Sequence, residues 1–152
     1  MATVKSVILS FANGTTADDR TAIVKYTFNF AAGDVGKAFR VSIKLWADDT
    51  GEGPVLSPLF VQPLYTFHFG NFLFFKNDYF VVTPSMAGDL SDTKQAIVAT
   101  NLLNEDPGTT TVKLPNGKLI TLPQRDEIYA TVSLLPVGEE KVGRSTTQTL
   151  VL

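Results

Sequence analysis

The chain has 152 residues, the length of one domain whose core can remove roughly 70% of the unfolded surface from water without metals or cross-links. Thirteen basic and fifteen acidic residues leave a net charge of −2, which argues against nucleic acid and anionic membranes, since both select clustered Lys and Arg. The absence of cysteine excludes disulfides, thiolate zinc sites and cysteine nucleophiles, and one histidine excludes any multi-histidine metal site.

The opening residues Met1-Ala2-Thr3-Val4-Lys5 lack the basic and apolar regions of a signal peptide, so the expectation is a cytoplasmic protein or one whose leader has been trimmed. No apolar run approaches the roughly 20 residues of a spanning helix, and membrane insertion is not expected. Thereafter the pattern has period two, interrupted at short intervals by Gly, Pro, Asn and Asp, as in chains of short antiparallel strands. A first strand is expected at 4–11, with Val7, Leu9 and Phe11 in phase. In 22–30, Ala22, Val24, Tyr26, Phe28 and Phe30 share one side; in 38–47, Phe39, Val41, Ile43, Leu45 and Ala47 point inward, with Arg40, Ser42, Lys44 and Trp46 outward. The glycine-containing segment 31–36 reads as a loop. Strands follow at 59–69, 72–76, 79–83 and 95–102, although a short helix capped by Ser91 or Asp89 is an alternative within "SMAGDLSDTKQAIV".

The segment "TVKLPNGKLITL" predicts a hairpin of strands 109–114 and 118–122, turning at Asn116-Gly117 with positive φ at both residues. Final strands are expected at 127–135 and 144–151. These eleven short segments without βα alternation predict an all-β fold of about nine or ten strands. The form expected is a two-sheet antiparallel β-sandwich of immunoglobulin-like or jelly-roll type, as one domain over 1–152. Asp126 followed by Tyr129 resembles the corner at which a tyrosine ties back to the backbone in immunoglobulin-like sandwiches, though that family's cysteines are missing.

The stretch "YTFHFGNFLFFKNDYFVV", residues 65–82, is the least ordinary part of the chain. Turns at Gly70-Asn71 and Asn77-Asp78 predict a three-stranded meander. In that register Tyr65, Phe67, Phe69, Phe72, Phe74, Tyr79 and Val81 face the core, leaving Thr66, His68, Leu73, Phe75, Phe80 and Val82 on the other side. A bulge at Gly70 would shift the phase of everything after it. The second side is too apolar for water, and three covers compete: a loop (48–58 or 84–94), another copy or partner, or a ligand.

His68 is the sole imidazole and no Gly-x-Ser-x-Gly elbow accompanies it, so a satisfied structural histidine is expected rather than a triad. The loop "ADDTGEG" gathers Asp48, Asp49 and Glu52, which makes calcium the one cofactor considered; "GDLSD" (Asp89, Asp92) and "NEDPG" (Glu105, Asp106) are weaker acidic loops. Carboxylate hydrolysis would fall to Asp126-Glu127, the acidic pair at a strand entry. Trp46, outward beside Lys44, suits a face that meets sugar or protein. The resulting expectation is a non-catalytic module for protein–protein interaction or structural assembly, binding through Trp46, His68, Phe75 and Phe80. Its partner would be another protein or a second copy. The alternative is a carbohydrate-binding module using Trp46, with the 48–52 loop supplying contacts or calcium to a glycan.

Overall fold

The computed structural model describes residues 1–47, 62–72, 75–104, 109–123, 125–136 and 141–151. In chain order the strands are β1 (Thr3–Asn13), β2 (Asp19–Phe30), β3 (Phe39–Ala47), β4 (Tyr65–Thr66), β5 (Phe69–Phe72), β6 (Phe75–Asn77), β7 (Phe80–Val82), β8 (Gly88–Ala99), β9 (Thr109–Lys113), β10 (Leu119–Pro123), β11 (Arg125–Leu135), β12 (Lys141–Arg144) and β13 (Gln148–Val151). A single 3-10 turn at Ala32–Asp34 and a one-turn helix, α1 (Thr100–Leu103), are the helical elements among the described residues.

Two antiparallel sheets pack face to face. The smaller has the order β1-β2-β8, and the larger runs β12-β11-β3-β4, with β13 also on β11 and β7 also on β3. Alternation places the side chains. On β2, Ala22, Val24, Tyr26, Phe28 and Phe30 are all buried, and on β3 so are Phe39, Val41, Ile43 and Leu45. Ile128, Ala130, Val132 and Leu134 of β11 complete the facing layer, and Leu9, Phe67, Val98 and Leu103 belong to the same buried cluster. Each buried Val, Leu, Ile or Phe side chain contributes about 1.5–3 kcal/mol by leaving water.

β8 replaces the short helix considered for residues 85–98. Its partner β2 is a continuous strand, and Asp19↔Ala99 through Phe30↔Gly88 pair without a break, so the ladder outweighs weak local helical signals. The proposed caps are cross-strand partners instead: Asn29 Nδ2 donates to Asp89 Oδ1 at 2.7 Å, and the Thr27 and Ser91 hydroxyls meet at 2.7 Å. The β9–β10 hairpin stands where expected, but Lys113 opposes Leu119 and Leu114 N–H bonds the Lys118 carbonyl at 2.8 Å. The turn is therefore a three-residue loop in which Gly117 alone takes positive φ (+81°).

The aromatic stretch departs most from expectation. It breaks into four short strands: Phe72 opposes Phe75 and Phe69 opposes Asn77, with an irregularity at Gly70, whose φ is +100°. β7 then pairs with β3 rather than with β6. Val41, a core residue, opposes Phe80, and Arg40 opposes Val81, so the faces of β7 are the reverse of those predicted. Phe80 and Val82 pack against the core, Val81 is 56% exposed, and Tyr79 reaches the outer surface. Upstream of Gly70 the predicted parity holds, with Tyr65, Phe67 and Phe69 toward the core and His68 outward.

The expected final strand is likewise split. β12 and β13 both pair with β11, and Ser145 bridges the gap. Its N–H donates to the Ala130 carbonyl at 2.7 Å, and its hydroxyl accepts the Ala130 N–H at 2.7 Å while donating to the Thr146 carbonyl at 2.9 Å. A buried amide that loses its ladder partner at the break is satisfied in this way. Beside it Gly143 faces inward, opposite Val132, where β12 passes over β1. A Cβ there would overlap Val4 and lie 2.9 Å from Val7 Cγ2.

Gly143→Ala is therefore expected to destabilise the domain by about 1–3 kcal/mol in chemical denaturation, through overpacking. Val4→Ala in the same chain should recover part of that loss. An acid transition is also expected. Hydrogen bonds from Thr15 and Thr16 hold the Asp19 carboxyl below its ordinary 3.8, and those from Lys5 and Asn29 do the same for Asp89. At Asp92 burial acts to raise the value, but Lys94, the Thr93 N–H and the Tyr26 hydroxyl outweigh it. With all three depressed in the folded state, their stabilisation is complete above the unfolded value and lost as pH falls through the folded ones. The thermal midpoint should be level down to about pH 5 and fall below about pH 4, less steeply in Asp89→Asn.

Candidate functional site

The outer face of the larger sheet is built by the residues that β3 and β11 turn away from the core. Register sets them in rows: Leu135, Arg40 and Val81; Ser133 and Ser42; Arg144, Thr131, Lys44 and Thr66; Tyr129 and Trp46. The Ser42 and Ser133 hydroxyls hydrogen-bond each other across the strands. A groove of about 270 Å³ runs over this face, lined in part by Arg40, Lys44, Thr66, Asp78 and Tyr79. Its lining combines two cations, a carboxylate, hydroxyls and a ring, a mixture suited to orienting a polar ligand.

Two arginines lie on tyrosines. The Arg40 guanidinium carbon is 4.8 Å from the Tyr79 ring centroid, and that of Arg144 is 3.7 Å from the Tyr129 ring. Such contacts are worth about 0.5–1 kcal/mol at exposed positions and hold each guanidinium in place. Trp46 lies half-buried beside them, its indole N–H donating to Thr131 Oγ1 at 2.8 Å, so the ring is fixed to the sheet by one defined bond.

His68 stands at the margin of this face. Its side chain is 41% exposed, with Nδ1 3.1 Å from Asp78 Oδ1 and its ring edge-on to Tyr65 at 5.9 Å. The imidazole therefore has one carboxylate partner and one aromatic neighbour. Phe80 belongs elsewhere. It packs inward against Phe69 at 4.8 Å and Tyr26 at 6.5 Å, under Lys94, whose Nζ is 4.9 Å from its ring centroid. It is thus no part of an outward binding face, because β3 and not β6 sets its orientation. Phe75 lies in β6, its side chain outside the described residues, as are Asp48, Asp49 and Glu52 of the acidic loop.

Of the residues singled out in the sequence, the structure brings Trp46 and His68 to one face. It adds Arg40, Tyr79, Tyr129, Thr131 and Arg144. Alternation alone places Arg40 and Lys44 beside Trp46, but Tyr129 joins them only through its register opposite Trp46, and Tyr79 only through the reversal after Gly70. Among the described residues no group of three or more His, Asp or Glu side chains is arranged to hold a metal ion. No family model matches the chain, and no curated protein matches it in sequence.

Removing the acceptor for the indole tests how firmly Trp46 is held. Thr131→Val, nearly the same shape, should cost about 1 kcal/mol in denaturation. The indole N–H resonance, unambiguous in a chain with one tryptophan, should move upfield as its hydrogen bond is lost.

Proposed function

We propose that the protein is a non-catalytic binding module that meets another protein through the outer face of its larger sheet. The observation that carries this reading is the placement of Trp46 and two tyrosine-stacked arginines, Arg40 and Arg144, on one surface. Trp, Tyr and Arg are the residue types that dominate binding energy at protein interfaces, because they bury large areas at low entropic cost and offer directed donors. Exposed Val81, Leu135 and Val142 on the same face add apolar area between the charged rows.

A carbohydrate-binding module is the second reading. It is favoured by the polar lining of the groove next to Tyr79, since sugars combine hydroxyls that bond to charged side chains with faces that stack on rings. In that reading Trp46 would supply a further platform, and Asp48, Asp49 and Glu52 would supply hydroxyl contacts or calcium.

A displayed-peptide library and a glycan array probed in parallel separate the two. The protein reading expects peptides that enrich on the wild-type chain, lose at least about tenfold in affinity with Arg40→Ala or Tyr79→Ala, and leave the glycan array blank. Glycan binding abolished by Trp46→Ala or by EDTA would overturn it in favour of the carbohydrate module.

A further inference from the structure

The sheet edges differ sharply in how they are closed. On one margin of the larger sheet, β4 has two residues and β7 three; on the other, β12 and β13 have four each and are separated by the Ser145 break. The β1 edge of the smaller sheet is covered where β12 crosses it at Gly143. β8 is different. It has twelve residues, no proline, no register shift against β2, and no strand on its far side among the described residues. From Asp89 to Thr93 every residue is exposed, on both faces. A long, regular edge offers a row of backbone N–H and C=O groups to another strand, and natural proteins ordinarily shorten or break such edges; here the Thr93 N–H donates to Asp92 Oδ1 at 2.8 Å, a bond an added strand would have to replace.

The charges on β8 select which strand. Asp92 and Lys94 both point to the inner side, opposite Tyr26 and Val24, and pair with each other at 3.0 Å within the chain. A second β8 could add antiparallel about a two-fold axis perpendicular to the sheet, which keeps inner sides together and requires the axis to pass through a residue. An axis through Asp92 or Lys94 sets like charges opposite each other, and one through Ser91 or Gln95 sets both charges against uncharged residues. An axis through Thr93 places Asp92 of each copy opposite Lys94 of the other, with Leu90 opposite Ala96 and Ser91 opposite Gln95. That register is self-complementary.

We propose that β8 is a homodimerisation edge, and that two copies join their smaller sheets into one six-stranded sheet about Thr93. The outer face of the larger sheet stays free in this arrangement, so the dimer and the proposed binding function are independent. Inward-pointing charges can also serve to keep an edge unpaired. The Asp-x-Lys spacing distinguishes the two roles, because it is attractive only in the one self-paired register.

Charge reversal tests both the edge and the register. Wild-type protein at submillimolar concentration should sediment as a dimer. Asp92→Lys alone or Lys94→Asp alone places like charges opposite each other twice and should weaken self-association by about tenfold, with each variant still folded by circular dichroism. Mixing the two variants should restore dimers, since the two lysines on the strand of one variant then face the two aspartates on the strand of the other. Thr93→Cys, in a chain with no other cysteine, should give a covalent dimer under mild oxidation. A monomeric wild type, or variants that fail to associate when mixed, would overturn the proposal.

Discussion

Strand β3 is the constraint on which the rest of the molecule turns. Phe39, Val41, Ile43 and Leu45 are buried, and Arg40, Ser42, Lys44 and Trp46 point the other way. Every strand paired with β3 must share that division, because directly opposed residues of an antiparallel pair lie on one side. β11 obeys it along eight consecutive pairs, and β7 obeys it even though its sequence allows either orientation. A slip of one residue along β3 would turn four buried side chains outward and carry the charged row into the core, so packing and outer surface are specified together.

Where one element had its own clear alternation, the fold could be read in advance. β1, β2, β3 and β11 fall within a few residues of their expected limits, and the inward residues of β2 and β3 are those that periodicity selects. Where alternation was ambiguous, the partner decided. Residues 79–82 read equally well with either face inward, and only pairing with Val41 sends Phe80 to the core. Gly70, free to take positive φ, is the local device that permits the change of phase, and a glycine in a strand does not announce on which side of it the register will resume. β8 shows the same dependence: its acidic, serine-containing start looks like a helix cap until a twelve-residue partner stands beside it. Of the outer face, Arg40, Lys44 and Trp46 were legible from alternation alone. Tyr79, Tyr129 and Arg144 were not, since they belong to other strands and reach that face through registers that no local pattern encodes.

The two margins of the smaller sheet are treated by opposite physical means. At β1, a glycine on β12 lets two backbones approach within side-chain distance of Val4 and Val7, and the sandwich closes there. The break beside it is made tolerable by Ser145, whose hydroxyl takes over a ladder hydrogen bond at Ala130. At β8 the inner side carries charge in place of apolar bulk. Burial pushes the Tyr26 hydroxyl well above its ordinary value, as does the neighbouring Asp92 charge, so this tyrosine remains a neutral donor to Asp92. The Asp92 carboxylate is thus held by the Tyr26 hydroxyl, the Thr93 N–H and Lys94, whose ammonium also lies over Phe80.

The same economy of groups accounts for the arginines of the outer face. A guanidinium free in solvent must lose rotamer freedom when a partner arrives, at about 0.5–1.5 kcal/mol per side chain. Arg40 has part of that freedom removed beforehand by the ring of Tyr79. Stacking uses the flat face of the group and does not itself occupy the donors at its edge, which form in-plane hydrogen bonds. An exposed salt bridge would hold the same side chain by engaging those donors, and would weaken with salt. Under the proposed reading, aromatic support is therefore the means of fixing a cation that leaves it most fit to be used.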